Sequence, residues 1–208
     1  MYPIKTDNVK ITSSDVMCEI GNIACGHLIT SLSNFARSDF SIKVPDMEFV
    51  CYDVLPDKLG DMERLVVSVV LELQGDIDGL FVFLAEPEFA SALLEKIGAG
   101  QMRAETFGED AMCDSALAEL GNIMCSAYID ALCEFTGLDV KISVPIIAYD
   151  MLGAILTLPL ARFAAEDARI IYVKNSFCEA GGKCGGTVLL MPDESSVALV
   201  MKKLGVCA

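Results

Sequence analysis

At 208 residues, 53% hydrophobic and only 22% charged, the chain is long enough to bury a real core and too apolar for a disordered segment. Its net charge of −15 argues against a nucleic-acid partner, because phosphate binding needs clustered Lys and Arg, and favours a basic patch on any protein that meets it. Nine cysteines with no C-x-x-C pair, and a lone His27, argue against both a disulfide scaffold and a structural zinc site.

In chain order, the first expected element is a helix opening near Ser13 or Ser14, good N-cap types, with Asp15 and Glu19 in its first turns where the helix dipole favours anions. It runs to about Phe35 on an apolar stripe of Val16, Ile20, Ile23 and Ala24, with Met17 and Leu28 at its edges. Phe40–Val44 alternates as a strand and is closed by Pro45. Arg64–Leu73 and Gly79–Leu84 read as paired strands around the turn Gly75-Asp76-Ile77-Asp78. A helix over Pro87–Ile97 ends at Gly98.

The second half repeats this order. A helix from about Ser115 to Phe135 carries Ala116, Leu117, Leu120, Ile123, Met124 and Tyr128 in the stripe positions, and Val140–Val144 is a strand closed by Pro145. Ala168–Lys174 and Gly186–Met191 pair around a loop with Gly181, Gly182 and Gly185, and a helix over Asp193–Leu204 stops at Gly205. Without a gap, residues 15–45 and 115–145 are identical at twelve positions, against about two or three for unrelated segments. The chain is an internal duplication. The fold class is α/β (α+β): a mostly antiparallel sheet packed against long helices, with pseudo-two-fold symmetry. The near-continuous apolar strands require cover on both faces or by the sister repeat. The domain reading is therefore one domain over 1–208, made of repeats at about 10–97 and 110–205 joined by a linker at 98–110.

The longest apolar stretches, Leu65–Leu71 and Met151–Ala161, are too short to span a bilayer, and no signal peptide is recognisable. A cytoplasmic protein without membrane insertion is expected, with reduced, buried thiols at Cys18, Cys25, Cys113, Cys125 and Cys133.

At 100° per residue, Asp15, Glu19, Asn22 and Gly26 share an arc of roughly 60° opposite the stripe, as do Ser115, Glu119, Asn122 and Ser126. One exposed Glu and Asn at i, i+3 ordinarily contribute a few tenths of a kcal/mol and nothing more. Asn, however, is a poor helix-interior residue, and both copies retain it one turn from a Glu. Asp15 and Ser115 serve equally well as helix-start residues or as contacts. Pro45 and Pro145 read as structural, and His27, at the stripe edge, as a partly buried structural side chain.

Asp15-x3-Glu19-x2-Asn22-x22-Pro45 and Ser115-x3-Glu119-x2-Asn122-x22-Pro145 resemble the (Asp/Ser)-x3-Glu-x2-Asn-x22-Pro signature of the CheC/CheX/FliY phosphatases. Two motifs in this length look like the CheC branch, over nearly the whole chain. The resemblance implies hydrolysis of the aspartyl phosphate of the chemotaxis response regulator CheY. Asn22 or Asn122 would orient the attacking water, and Glu19 or Glu119 would pair with a partner lysine. It implies no cofactor in this chain, since the Mg²⁺ would belong to the partner's phosphorylation site. It also implies a second possible role, as an adaptor that binds and regulates the receptor deamidase CheD. The sequence leaves open the relative activity of the two sites, the identity of the regulator, the deamidase-binding surface and the oligomeric state.

Overall fold

The computed structural model describes residues 13–36, 40–98, 111–163, 169–179 and 184–205, so the linker assigned to 98–110 lies outside the described residues beyond Gly98. The first half contributes α1 (Ser13–Ala36), β1 (Phe40–Cys51), a 3-10 turn (Tyr52–Val54), α2 (Leu55–Leu59), β2 (Leu65–Gly75), β3 (Gly79–Ala85) and α3 (Pro87–Lys96). The second contributes α4 (Ala111–Thr136), β4 (Val140–Ile142), β5 (Ile146–Met151), α5 (Leu152–Phe163), β6 (Arg169–Glu179), β7 (Cys184–Pro192) and α6 (Glu194–Lys203).

Among the described residues, seven strands join one antiparallel sheet in the order β1-β6-β7-β3-β2, with β4 and β5 both paired to β2 at the far edge. The order reads alike from either end. The two hairpins, β2–β3 and β6–β7, meet at the centre through the β3–β7 pairing, and each is flanked by a strand from the other half. Neither half could therefore close its sheet alone.

Alternation along the strands sorts the core into two layers. Val67, Val69, Leu71 and Leu73 of β2, Phe81 and Phe83 of β3 and Val188 and Leu190 of β7 face α1, α3, α4 and α6. Val66, Leu80, Val82, Leu84, Leu189 and Met191 face the opposite way, onto Leu55 and Leu59 of α2 and Leu152 and Leu156 of α5. With both faces covered, every residue of β3 is buried. Each such Val, Leu or Phe contributes about 1.5–3 kcal/mol relative to exposure.

Three expectations are corrected. The prolines do not close strands. β1 continues through Pro45, and its register with β6 shifts between Lys43 and Asp46. β4 stops at Ile142 and the chain resumes as β5 at Ile146, on the other side of Pro145. Both prolines thus sit at irregularities on edge strands, where a missing N–H breaks no ladder. Second, α4 opens at Ala111, a turn before the expected start, with Cys113 buried and Asp114 in its first turn. Third, α2 and α5 are additional to the expected elements. The run Met151–Ala161 is apolar at almost every position, so its helical period is hidden until Leu152, Leu156 and Pro159 are seen buried on one side.

Candidate functional site

Helices α1 and α4 lie side by side on one face of the sheet. Ile20, Ala24, Leu28 and Leu32 of α1 and Leu117, Leu120, Met124 and Tyr128 of α4 point into the core beneath them. Cys25 Sγ lies 3.6 Å from the Tyr128 hydroxyl, and Asn122 shares a groove with Thr30 and Ser31, so the two helices run antiparallel. Tyr128 also meets Phe81 of the sheet, with ring centroids 6.2 Å apart. Burial raises the Cys25 thiol pKa, and the hydrogen bond with Tyr128 opposes that rise only in part.

With the stripes turned inward, the opposite arc faces solvent. Glu19, Asn22, Ser115 and Glu119 are exposed, and Asn122 is half-buried. Because α4 begins four residues earlier, Ser115 lies in the second turn and does not cap the helix. Asp15 is the third residue of α1, near the positive end of its dipole, but its side chain lies outside the described residues. Pro45 and Pro145 stand on opposite edges of the sheet, one in β1 and the other between β4 and β5.

A residue between the paired functional groups sets how closely their helix approaches the sheet. Gly121, buried between Glu119 and Asn122, packs on β2 so closely that a Cβ there would overlap Val69 Cγ1 and lie 3.2 Å from Val69 Cβ. Gly21, its counterpart between Glu19 and Asn22, is buried as well. Absence of a side chain lets α4 rest directly on the sheet, which fixes the height of the flanking polar residues. The signal was present in the sequence: a glycine, a poor helix former, kept in both copies immediately before the Asn.

Glu119 and Asn122 line an open groove of about 490 Å³ between the two helices, together with Ser126, Ala127 and Asp130 of α4 and His27, Thr30 and Ser31 of α1. The arrangement corrects the reading of His27, which is exposed rather than partly buried. Ser126 and Ala127, two of the α4 residues that share its groove, are too small to cover it. Cys18 is exposed too, because it falls on the outward arc one turn before Asn22, and Cys133 is half-buried, whereas Cys25, Cys113 and Cys125 are buried as expected. The groove is not duplicated in composition: Gly26, His27, Thr30 and Ser31 stand where the other helix has Ser126, Ala127, Asp130 and Ala131.

Chemically, the surface offers carboxylates that can hold a cation and amides that can both donate and accept. Among the described residues no three His, Cys, Asp or Glu side chains converge as a metal site requires. Among them, too, no helix is long and apolar enough to cross a membrane.

An antiparallel sheet with two long helices on one face, each presenting Glu and Asn one turn apart, defines a class with relatives among proteins of bacterial chemotaxis. Two family models match: "CheC-like family" over residues 13–48, spanning the first motif, and "Chemotaxis phosphatase CheX" over 67–161, spanning the second. The CheY-P phosphatase CheC of Bacillus subtilis is 30% identical over 203 residues, 96% of this chain and 97% of that protein. This chain belongs to the CheC/CheX/FliY family. Among solved structures, Thermotoga maritima FliY matches with a TM-score of 0.72 at 21% identity, over 94% of this chain and 98% of that one. The CheX of Borrelia burgdorferi, solved in a complex with CheY, BeF3 and Mg, gives 0.54 at 17% identity, over 86% and 98%. At such identities these two likenesses bear on the fold.

Proposed function

We propose that this chain hydrolyses the aspartyl phosphate of a CheY-like response regulator, using two sites, Glu19/Asn22 and Glu119/Asn122. The observation that carries the reading is the outward placement of both pairs on rigid helices anchored to the sheet. Family membership and the relation to a CheY-P phosphatase support the reaction class.

An aspartyl phosphate is an acyl phosphate, already prone to hydrolysis, and phosphoryl transfer asks mainly for positioning and charge stabilisation. The amide of Asn22 or Asn122 enters the partner's site and accepts a hydrogen bond from a water, aligning its oxygen with the phosphorus opposite the aspartyl oxygen. As the new P–O bond forms, the bond to the aspartyl oxygen breaks, and inorganic phosphate and a free carboxylate result. An amide is too weak a base to take the water's proton, so its contribution is geometric. Glu19 or Glu119 pairs with a lysine beside the phosphoryl group and fixes the register of the helix. Mg²⁺ would belong to the regulator's phosphorylation site, where it would offset the charge on the phosphoryl group.

Phosphate release from phosphorylated CheY, with the purified chain alone, tests the reading. Faster release is expected. An unchanged phosphate lifetime would sink it, and would leave the adaptor role toward the deamidase CheD in its place.

A further inference from the structure

We infer that the two Glu/Asn pairs form one docking surface, which admits a single receiver domain at a time. The inference rests on the function proposed above and concerns how the two sites are used.

Its first support is the register of the helices. Cys25 lies opposite Tyr128, so the midpoint of the antiparallel pairing falls between residues 26 and 27 of α1 and between 126 and 127 of α4. Asn22 and Asn122 lie to either side of that midpoint, separated by roughly nine residues of helix, or about 14 Å along the axis. One interhelical spacing of about 8–10 Å separates them across it, which gives about 16 Å overall. A domain of about 100 residues has a radius of gyration of about 13 Å, which for a uniform sphere means roughly 34 Å across. Two such bodies seated 16 Å apart on one face would occupy the same space.

The groove supplies the second, independent support. Its walls come from both helices, so a domain seated on Glu119 and Asn122 also covers His27, Thr30 and Ser31 of α1. His27 is five residues from Asn22, about 8 Å along the helix. Asn122 leans into this shared groove and not away from it, which accounts for its half-burial. The ground covered at the second site thus reaches within about 8 Å, along α1, of the first site's Asn22. Duplication raises the number of productive ways to land, not the number of substrates held.

Titration of the full chain with a beryllofluoride-loaded receiver, followed by calorimetry and by the mass of the complex, tests this. Glu19→Arg and Glu119→Arg, both on exposed positions, block one site each by charge reversal. One receiver is expected on the wild type and one on each single variant, with none on the double variant. Two receivers on the wild type would overturn the inference, as would a single variant that binds none or a double variant that still binds one. A wild type that binds no activated receiver sinks the proposed function itself, and with it this inference.

Discussion

Cys25 of α1 and Tyr128 of α4 meet in the core 3.6 Å apart, beneath the groove, and join the two helices that carry the candidate sites. Tyr128→Phe removes the hydroxyl and keeps the ring on Phe81, so a loss of about 0.5–1 kcal/mol is expected in denaturant unfolding. Burial raises the thiol pKa of Cys25 and Cys125 and so lowers the fraction present as reactive thiolate. Alkylation of the native protein, mapped by mass, should therefore reach exposed Cys18 and Cys51 well before Cys25, Cys113 and Cys125.

Gly121→Ala sets two effects against each other. Helix propensity favours alanine by about 1 kcal/mol. Overpacking against the β-branched, stiff Val69 costs about 1–3 kcal/mol. Net destabilisation of up to about 2 kcal/mol is expected, measured by chemical denaturation. Lifting α4 also misplaces Asn122, and a shift near 1 Å costs on the order of 100-fold in rate. In an Asn22→Ala background, where Asn122 alone reports, Gly121→Ala should lower phosphate release sharply. Adding Val69→Ala should recover much of it, although stability stays low.

Asp193 caps α6. Its carboxylate accepts hydrogen bonds from the Ser196 N–H at 2.7 Å and the Ser195 hydroxyl at 3.0 Å. Partial burial pushes its pKa up, but these hydrogen bonds, with one from the Ser196 hydroxyl, outweigh burial and hold it below the usual 3.8. A depressed acid stabilises the fold at pH values above its unfolded value, and that contribution is lost as the pH falls through the folded one. Asp193→Ala should cost about 1 kcal/mol near neutral pH. Asp193→Asn, which keeps an acceptor but not the charge, should cost a few tenths of a kcal/mol. Its deficit should vanish well below pH 3.8, as pH-dependent thermal unfolding can show.

Periodicity and punctuation revealed the local framework. The span of α1, the hairpin turn at Gly75–Asp78 and the helix stops at Gly98 (φ 73°) and Gly205 (φ 69°) follow from neighbouring residues alone. The outward arc of Glu19, Asn22, Ser115 and Glu119 was legible for the same reason, since one apolar stripe fixes the opposite face of a helix. What stayed hidden depends on residues distant in sequence. Each central hairpin pairs with the opposite half's edge strand, so no window contains that contact. Helix α5 has no polar face to reveal its period. His27 reads as partly buried beside its own stripe, and only the small Ser126 and Ala127 of the groove it shares with α4 show why it is open. Gly121 needs Val69, 52 residues earlier, to acquire a reason.

The central claim is that Asn22 and Asn122 aim a water at a partner's phosphoryl group. Phosphate release from a phosphorylated CheY-like receiver should be followed with the wild type and with Asn22→Ala/Asn122→Ala, after confirming that the variant still binds the beryllofluoride-loaded receiver. The account predicts retained binding with acceleration reduced on the order of 100-fold, and partial activity in each single variant. Undiminished acceleration by the double variant would contradict it.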